Sequence, residues 1–162
     1  MGKEKNIKTN AMRILDSKKI KYNIYEYDIS DDKIDGISVA EKTNQDVKSV
    51  YKTLVTQGNS RELYVFVIPV QEELDLKKAA KACNEKRVEM IHVKDITKFT
   101  GYVRGGCSPL GMKKLYKTFI HEDCKELELV CVSGGKKGLQ IQVSPKELST
   151  IINAKFKDLI HK

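Results

Sequence analysis

The longest unbroken apolar stretch in this chain is only eight residues, Leu-Tyr-Val-Phe-Val-Ile-Pro-Val at 63–70. A bilayer-spanning helix needs roughly 18 such residues in a row. Apolar runs of 4–8 residues bounded by turn residues read instead as buried strands. Runs of this kind recur at 52–56, 63–70, 88–93, 127–132 and 139–143, and 20–29 adds a β-branched and tyrosine-rich segment. Between them lie turn residues or short segments with helix-start signals. The order is not a regular strand–helix series, so a Rossmann-type enzyme is not expected. The chain reads as α+β: a mixed, β-barrel-like sheet, strongly curved or closed, with peripheral helices. With 162 residues and no linker, repeat or low-complexity tract, 1–162 is expected to form a single domain.

The helix starts are explicit. Thr9 or Asn10 is placed to cap a helix with Ala11, Ile14 and Leu15 on one face. Ser38 followed by Glu41 forms a capping-box pattern for a short helix over 39–43. A further short helix is expected after Asp46. Asp75 heads a helix over 76–83, and Asp95 a brief one to Phe99. Ser144-Pro145 with Glu147 marks the last start, and its apolar positions Leu148, Ile151, Ile152, Phe156 and Leu159 extend that helix to about Ile160. Two hairpins are expected, one across Gly-Asn-Ser-Arg at 58–61 and one across Ser-Gly-Gly-Lys-Lys-Gly at 133–138.

Charge narrows the class of partner. Thirty Lys+Arg against 22 Asp+Glu give a net +8, which favours a polyanion, although lysines also serve only to solvate a surface. The acids are interleaved except over 102–117, where Arg104, Lys113, Lys114 and Lys117 meet none. The polar, lysine-rich opening 1–10 lacks the apolar core of a secretory signal, so a cytoplasmic protein without a membrane segment is expected. Its four cysteines contain no C-x-x-C pair and match no common zinc spacing. Free thiols are therefore expected, with no metal and no cofactor.

Three places can carry chemistry. The first is Thr-Gly-Tyr-Val-Arg-Gly-Gly-Cys-Ser-Pro-Leu-Gly at 100–111. Its four glycines and one proline suit a fixed loop that brings backbone N–H groups close to a ligand oxygen, and Arg104 and Ser108 add donors. It is neither a Walker loop nor a dinucleotide fingerprint. The second is Lys52, between a short helix and an apolar strand, where partial desolvation would let it reach a phosphate or carbonyl; an edge lysine in water is the plainer reading. The third is Ser133-Gly134 on the second glycine turn. No nucleophile motif stands out: His92 and His121 are far in sequence from Cys107 and Ser108, and a Cys107 thiolate would need Arg104 beside it.

The segments TNAMRILDSKKIKY, YKTLV, VIPV followed by LDLKKAAKA, TGYVRGGCSPLGMKK, VSGGKKGLQIQVSPKEL and NAKFKDL, in this order over nearly the whole chain, resemble the YbaK-type Cys-tRNA(Pro) deacylases. These are free-standing relatives of the editing domain of bacterial prolyl-tRNA synthetases. The resemblance implies a compact α+β domain around a mixed β-barrel and hydrolysis of the ester joining cysteine to the 3′ end of tRNA(Pro), with the substrate's own thiol attacking that ester. It implies that Lys52 is the functionally required lysine and Tyr27 a pocket tyrosine. Gly105, Gly106, Ser108 and Pro109 would form the substrate-facing loop, with Arg104 beside it and Ser133 and Gly134 on the second turn. The partners implied are the acceptor end of an aminoacyl-tRNA and prolyl-tRNA synthetase. One position departs from the family, which carries Asp where this chain has Gln140, and a carboxamide cannot act as a carboxylate base. Two rival readings remain: a deacylase for another mischarged tRNA such as Ala-tRNA(Pro), and a non-catalytic tRNA or nucleotide binder.

Overall fold

The computed structural model describes residues 8–161; the lysine-rich opening 1–7 lies outside them. Eight strands form two sheets. The three-stranded sheet has the order β1 (Asn23–Glu26), β7 (Leu139–Val143), β6 (Val130–Ser133). The five-stranded sheet runs β4 (Val88–Met90), β2 (Tyr51–Gly58), β3 (Leu63–Pro69), β5 (Lys117–His121), β8 (Lys155–Lys157). Helix α1 (Asn10–Ser17) precedes β1, and α2 (Gly36–Lys42), α3 (Leu76–Ala82), α4 (Ile96–Thr100) and α5 (Pro145–Ile151) lie between strands in sequence.

The α+β class and the mixed sheet hold, but the sheet does not close into a barrel. The smaller sheet is bounded by β1 and β6 and the larger by β4 and β8; a single parallel bridge, Val50 to Cys131, joins them at a corner. Strand β2 sits at that corner. It pairs with β3 along its whole length, from Tyr51–Pro69 to Gln57–Leu63, yet with β4 only over Thr56–Gly58. Residues 51–54 therefore have a ladder on one side only.

The long apolar run is explained by burial on both faces. In β3, Val65 and Val67 point into one core with Leu15, Ile120, Val132, Ile141 and Leu148, while Tyr64, Phe66 and Ile68 point into a second with Ala79, Ala80 and Leu159. Phe66 stacks on Phe119 of β5 with ring centroids 5.5 Å apart. The alanines of α3 let that helix lie close over the second core.

Several element ends differ from expectation, each for a local reason. α2 starts at Gly36 because Asp35, not Ser38, is the cap: it accepts the Ser38 N–H at 3.1 Å, and the Ser38 hydroxyl itself donates to Asp35 at 2.7 Å. The last helix stops at Ile151 because Asn153 turns into the left-handed region (φ 53°) and Ala154 N–H closes on Ser149 C=O at 2.8 Å. Lys-Phe-Lys then forms β8, so Phe156 and Leu159 reach the cores from beyond the helix. The strands expected at 20–29, 88–93 and 127–132 are shorter than their apolar runs, and α4 lacks a side-chain cap from Asp95. Strand β5, interior to the larger sheet, falls in a stretch to which the sequence reading assigns no element.

The four cysteines are free. Cys124 and Cys131 lie in the core, and burial pushes their thiols up to about 12 and about 11 from an ordinary 9.0. A thiol raised in the folded state stabilises fully below pH 9, and that contribution is lost as pH rises through the folded value. Denaturant titrations at pH 8 and pH 10 should show a loss of about 1 kcal/mol per buried thiol, reduced in Cys131→Ala; a flat profile contradicts it.

Candidate active site

The corner where β2 leaves β4 opens into a cleft of about 250 Å3. Its lining comes from both sheets and three connecting segments. Tyr51, Lys52 and Thr53 come from the singly paired start of β2, Tyr27 follows β1, and Ser133 and Gln140 face each other across the β6–β7 ladder. Ile34, Val39 of α2 and Val70 supply an apolar wall, and Arg104, Gly105 and Cys107 bring in the glycine-rich loop. Five of the nine residues singled out from sequence thus meet here: Tyr27, Lys52, Arg104, Gly105 and Ser133.

The other four stand behind the lining. The Gly106 N–H donates to Val103 C=O at 2.9 Å, closing a turn, so it is not a free donor toward the cleft. Ser108 is fully buried, and its hydroxyl oxygen accepts the Leu110 N–H at 3.2 Å. Pro109 lines a neighbouring hollow with Ile14 and Met112. Gly134 donates to Leu139 C=O at 2.9 Å and accepts the Thr9 hydroxyl at 2.5 Å, which ties the second glycine turn to the cap of α1.

The two glycine turns touch directly. A Cβ on Gly106 would lie 2.8 Å from the Lys136 backbone and 2.9 Å from Lys137 N, so only glycine admits that approach. Gly105 takes φ +85°, which bends the loop toward Ile34 and Lys137. Ser133 steadies the opposite turn by accepting the Gly135 N–H at 3.2 Å.

The electrostatics are those of a partly dry site. Lys52 is half-buried, and burial lowers its ammonium below the ordinary lysine range; Glu73 and Glu72 act in the opposite direction. Burial raises Cys107 to about 11, so this thiol is not a thiolate nucleophile at neutral pH. His121 is not its base: it is buried, accepts the Leu159 N–H at Nδ1 (3.1 Å) and faces Asp123 at 3.3 Å. Three lining residues, Tyr51, Thr53 and Gln140, each hold a buried side-chain oxygen without a hydrogen-bond partner among the described residues. Such atoms cost about 1–3 kcal/mol each when left unpaired, and all three belong to residues of this one cleft. Gln140 is only 8% exposed and neutral, so no carboxylate base stands at that position. Among the described residues, no group of three or more His, Cys, Asp or Glu is arranged to hold a metal.

Sequence reading missed Tyr51, Thr53 and the wall of Ile34, Val39 and Val70. Thr53 had a weak signal, as the neighbour of Lys52 on a strand that buries both faces. The wall had none, because 34–39 reads only as a helix start.

Residues 33–151 match the aminoacyl-tRNA editing domain. The chain belongs to this family. The Enterococcus faecalis protein EbsC, described as a candidate Cys-tRNA(Pro)/Cys-tRNA(Cys) deacylase, is 44% identical over 155 residues, covering 96% of this chain and 94% of its own. The fold recurs in the crystal structure of a candidate trans-editing enzyme for prolyl tRNA synthetase. That match has TM-score 0.82 and 23% identity over 97% of this chain and 100% of the other. It recurs also in the hypothetical protein APE2540, with TM-score 0.86 and 17% identity over 94% and 100%. No helix among the described residues is long and apolar enough to cross a membrane.

The packing of the glycine turns is testable by one methyl group. Gly106→Ala should lower stability by about 1–3 kcal/mol, seen as a lower melting temperature; an unchanged melt would mean that the turns move apart at no cost.

Proposed function

We propose that this editing domain hydrolyses the ester of Cys-tRNA(Pro), acting in trans on the mischarged tRNA. The observation that carries the reading is Lys52, half-buried in a cleft with two glycine turns and three unpaired buried oxygens, in a chain 44% identical to a protein described as a candidate deacylase of this type.

An aminoacyl ester is already activated, so positioning and stabilisation of the developing oxyanion suffice without a Ser-His-Asp triad. The terminal adenosine and its ester enter at β2. Lys52 supplies a fixed positive charge for a phosphate or for the carbonyl oxygen as it turns into an oxyanion. The Gly105 N–H, at the cleft edge, is the loop donor assigned to that oxyanion. Gln140 and Thr53 take the polar groups of the cysteine, and Tyr27 closes the side. Burial raises the Tyr51 phenol above its ordinary range, so it stays a neutral O–H. The substrate's thiol sulfur attacks its own carbonyl, its proton goes to the departing 3′ oxygen, and water then opens the thiolactone to free cysteine. Selection of tRNA(Pro) is assigned to a complex with prolyl-tRNA synthetase, in keeping with the description attached to one fold relative.

The decisive assay offers purified protein a panel of aminoacyl-tRNAs. Cysteine released from Cys-tRNA(Pro) supports the reading, release of alanine from Ala-tRNA(Pro) replaces it with the sister activity, and binding without turnover overturns it. Lys52→Ala should lower kcat/KM by about 10²-fold or more with an unchanged melting temperature. Because burial lowers the lysine, wild-type activity should fall off on the alkaline side before the ordinary lysine range is reached, and Lys52→Arg should extend that limb upward. Full activity in Lys52→Ala would remove the role assigned to it.

A further inference from the structure

A second concave surface lies at the far edge of the larger sheet. It is a groove of about 400 Å3 lined by Lys117 of β5, Lys155 and Lys157 of β8, and Asn84 and Asn153 in the turns after α3 and α5, with Phe119 in its floor. Lys157 also lines the next hollow along, together with Lys78 and Lys81 of α3. In β8 the two lysines are two residues apart and lie on one face, about 7 Å from each other. Phe156 between them turns to the other face, under the Lys125 ammonium at 5.8 Å.

The nearby acids are already engaged. Asp158 pairs with Lys78 at 3.0 Å. Glu85 accepts the hydroxyls of Ser60 and Tyr64 and stands within electrostatic reach of Lys117, without forming an ion pair with it. No ion pair among the described residues takes up Lys81, Lys117, Lys155 or Lys157. Lysines on an edge strand often serve only to discourage pairing with another chain. That accounts for Lys155 and Lys157, but not for Lys117 on an interior strand or Lys81 on a helix.

The groove is also joined to the cleft by sequence. The stretch from Arg104, which lines the cleft, to Lys117, which lines the groove, contains no Asp or Glu. Between them Lys114 lines the intermediate hollow, which shares Leu115, Tyr116 and Ile152 with the groove. Three strand spacings separate β2 from β8, about 15 Å. That is a short step for a polynucleotide with one end held at β2. Lysine ammoniums and asparagine amides are the donors that phosphate oxygens take.

We infer that this groove binds the phosphate backbone of RNA, seating the double-stranded arm of the substrate tRNA while its 3′ end occupies the cleft. The identity of the RNA rests on the deacylase reading; the binding surface does not. The test uses the whole protein, uncharged tRNA and a salt series, comparing Lys117→Gln/Lys155→Gln/Lys157→Gln with an equally charged control, Lys18→Gln/Lys48→Gln/Lys94→Gln. The groove variant should bind more weakly, and its slope of log affinity against log salt should shrink by roughly 2–3, since each duplex phosphate contact contributes about 0.9. On Cys-tRNA(Pro) its KM should rise with kcat kept, whereas a small cysteinyl ester of adenosine should be cleaved at the wild-type rate. An unchanged slope, or an equal loss in the control, overturns the groove. So does intact RNA binding accompanied by lost association with prolyl-tRNA synthetase, which would make this a protein-facing surface. Loss of RNA binding in the groove variant of a protein that releases no amino acid would uphold the groove and sink the deacylase reading.

Discussion

Everything about the site follows from strand β2 having to serve two sheets. It gives one edge to β3 throughout, but on its other edge β4 is available only at the far end, while at Val50 the chain is bridged to β6. Twisted sheets that meet at a corner leave a wedge between them, and here the wedge is lined by backbone and side chains of 51–53. A closed barrel would have filled that space with another strand. The failure to close is what provides a cleft between the sheets and places Lys52 in it, partly out of water.

The glycine turns work as a pair. Each alone is an ordinary connection, one between α4 and β5 and the other between β6 and β7. Their contact at Gly106 and Lys136 holds the Arg104–Gly105 segment against the smaller sheet, so the loop is positioned by the sheet it faces as well as by its own hydrogen bonds. The residues behind the lining, Ser108 and Gly134 among them, use their polar atoms on the protein itself. A preorganised site needs this division between groups that meet the substrate and groups that hold them.

Much of the architecture was legible in the residues. Caps at Thr9, Asp75 and Ser144, the β6–β7 hairpin and the apolar strand at 63–70 were all readable, because each rests on local chemistry. What failed depended on tertiary context. The last helix was over-extended because Phe156 and Leu159 fit a helical period as well as they fit the cores they reach by another path. Asn153 was the missed signal. Strand β5 was missed because five residues between a loop and a 3₁₀ turn are too few to show a period. At the site, Lys52 and the glycine loop that holds Gly105 were legible from the residues themselves, Tyr27 and the Gln140 position through resemblance to a family, and Thr53 emerged as a cleft residue only once both sheets were in place. The acid-free stretch was visible from the start, but that it joins two concavities was not.

Cys107 carries a consequence for chemical selectivity. On the proposed mechanism the cleft takes a cysteinyl ester and a thiolactone derived from it, and both can pass an acyl group to any competing sulfur. With its thiol at about 11, only on the order of one molecule in ten thousand presents a thiolate there at pH 7. In the proposed reaction this leaves water, and not the protein, as the acceptor of the acyl group. A cysteine that looks like a candidate nucleophile is, in this setting, a sulfur kept out of the reaction.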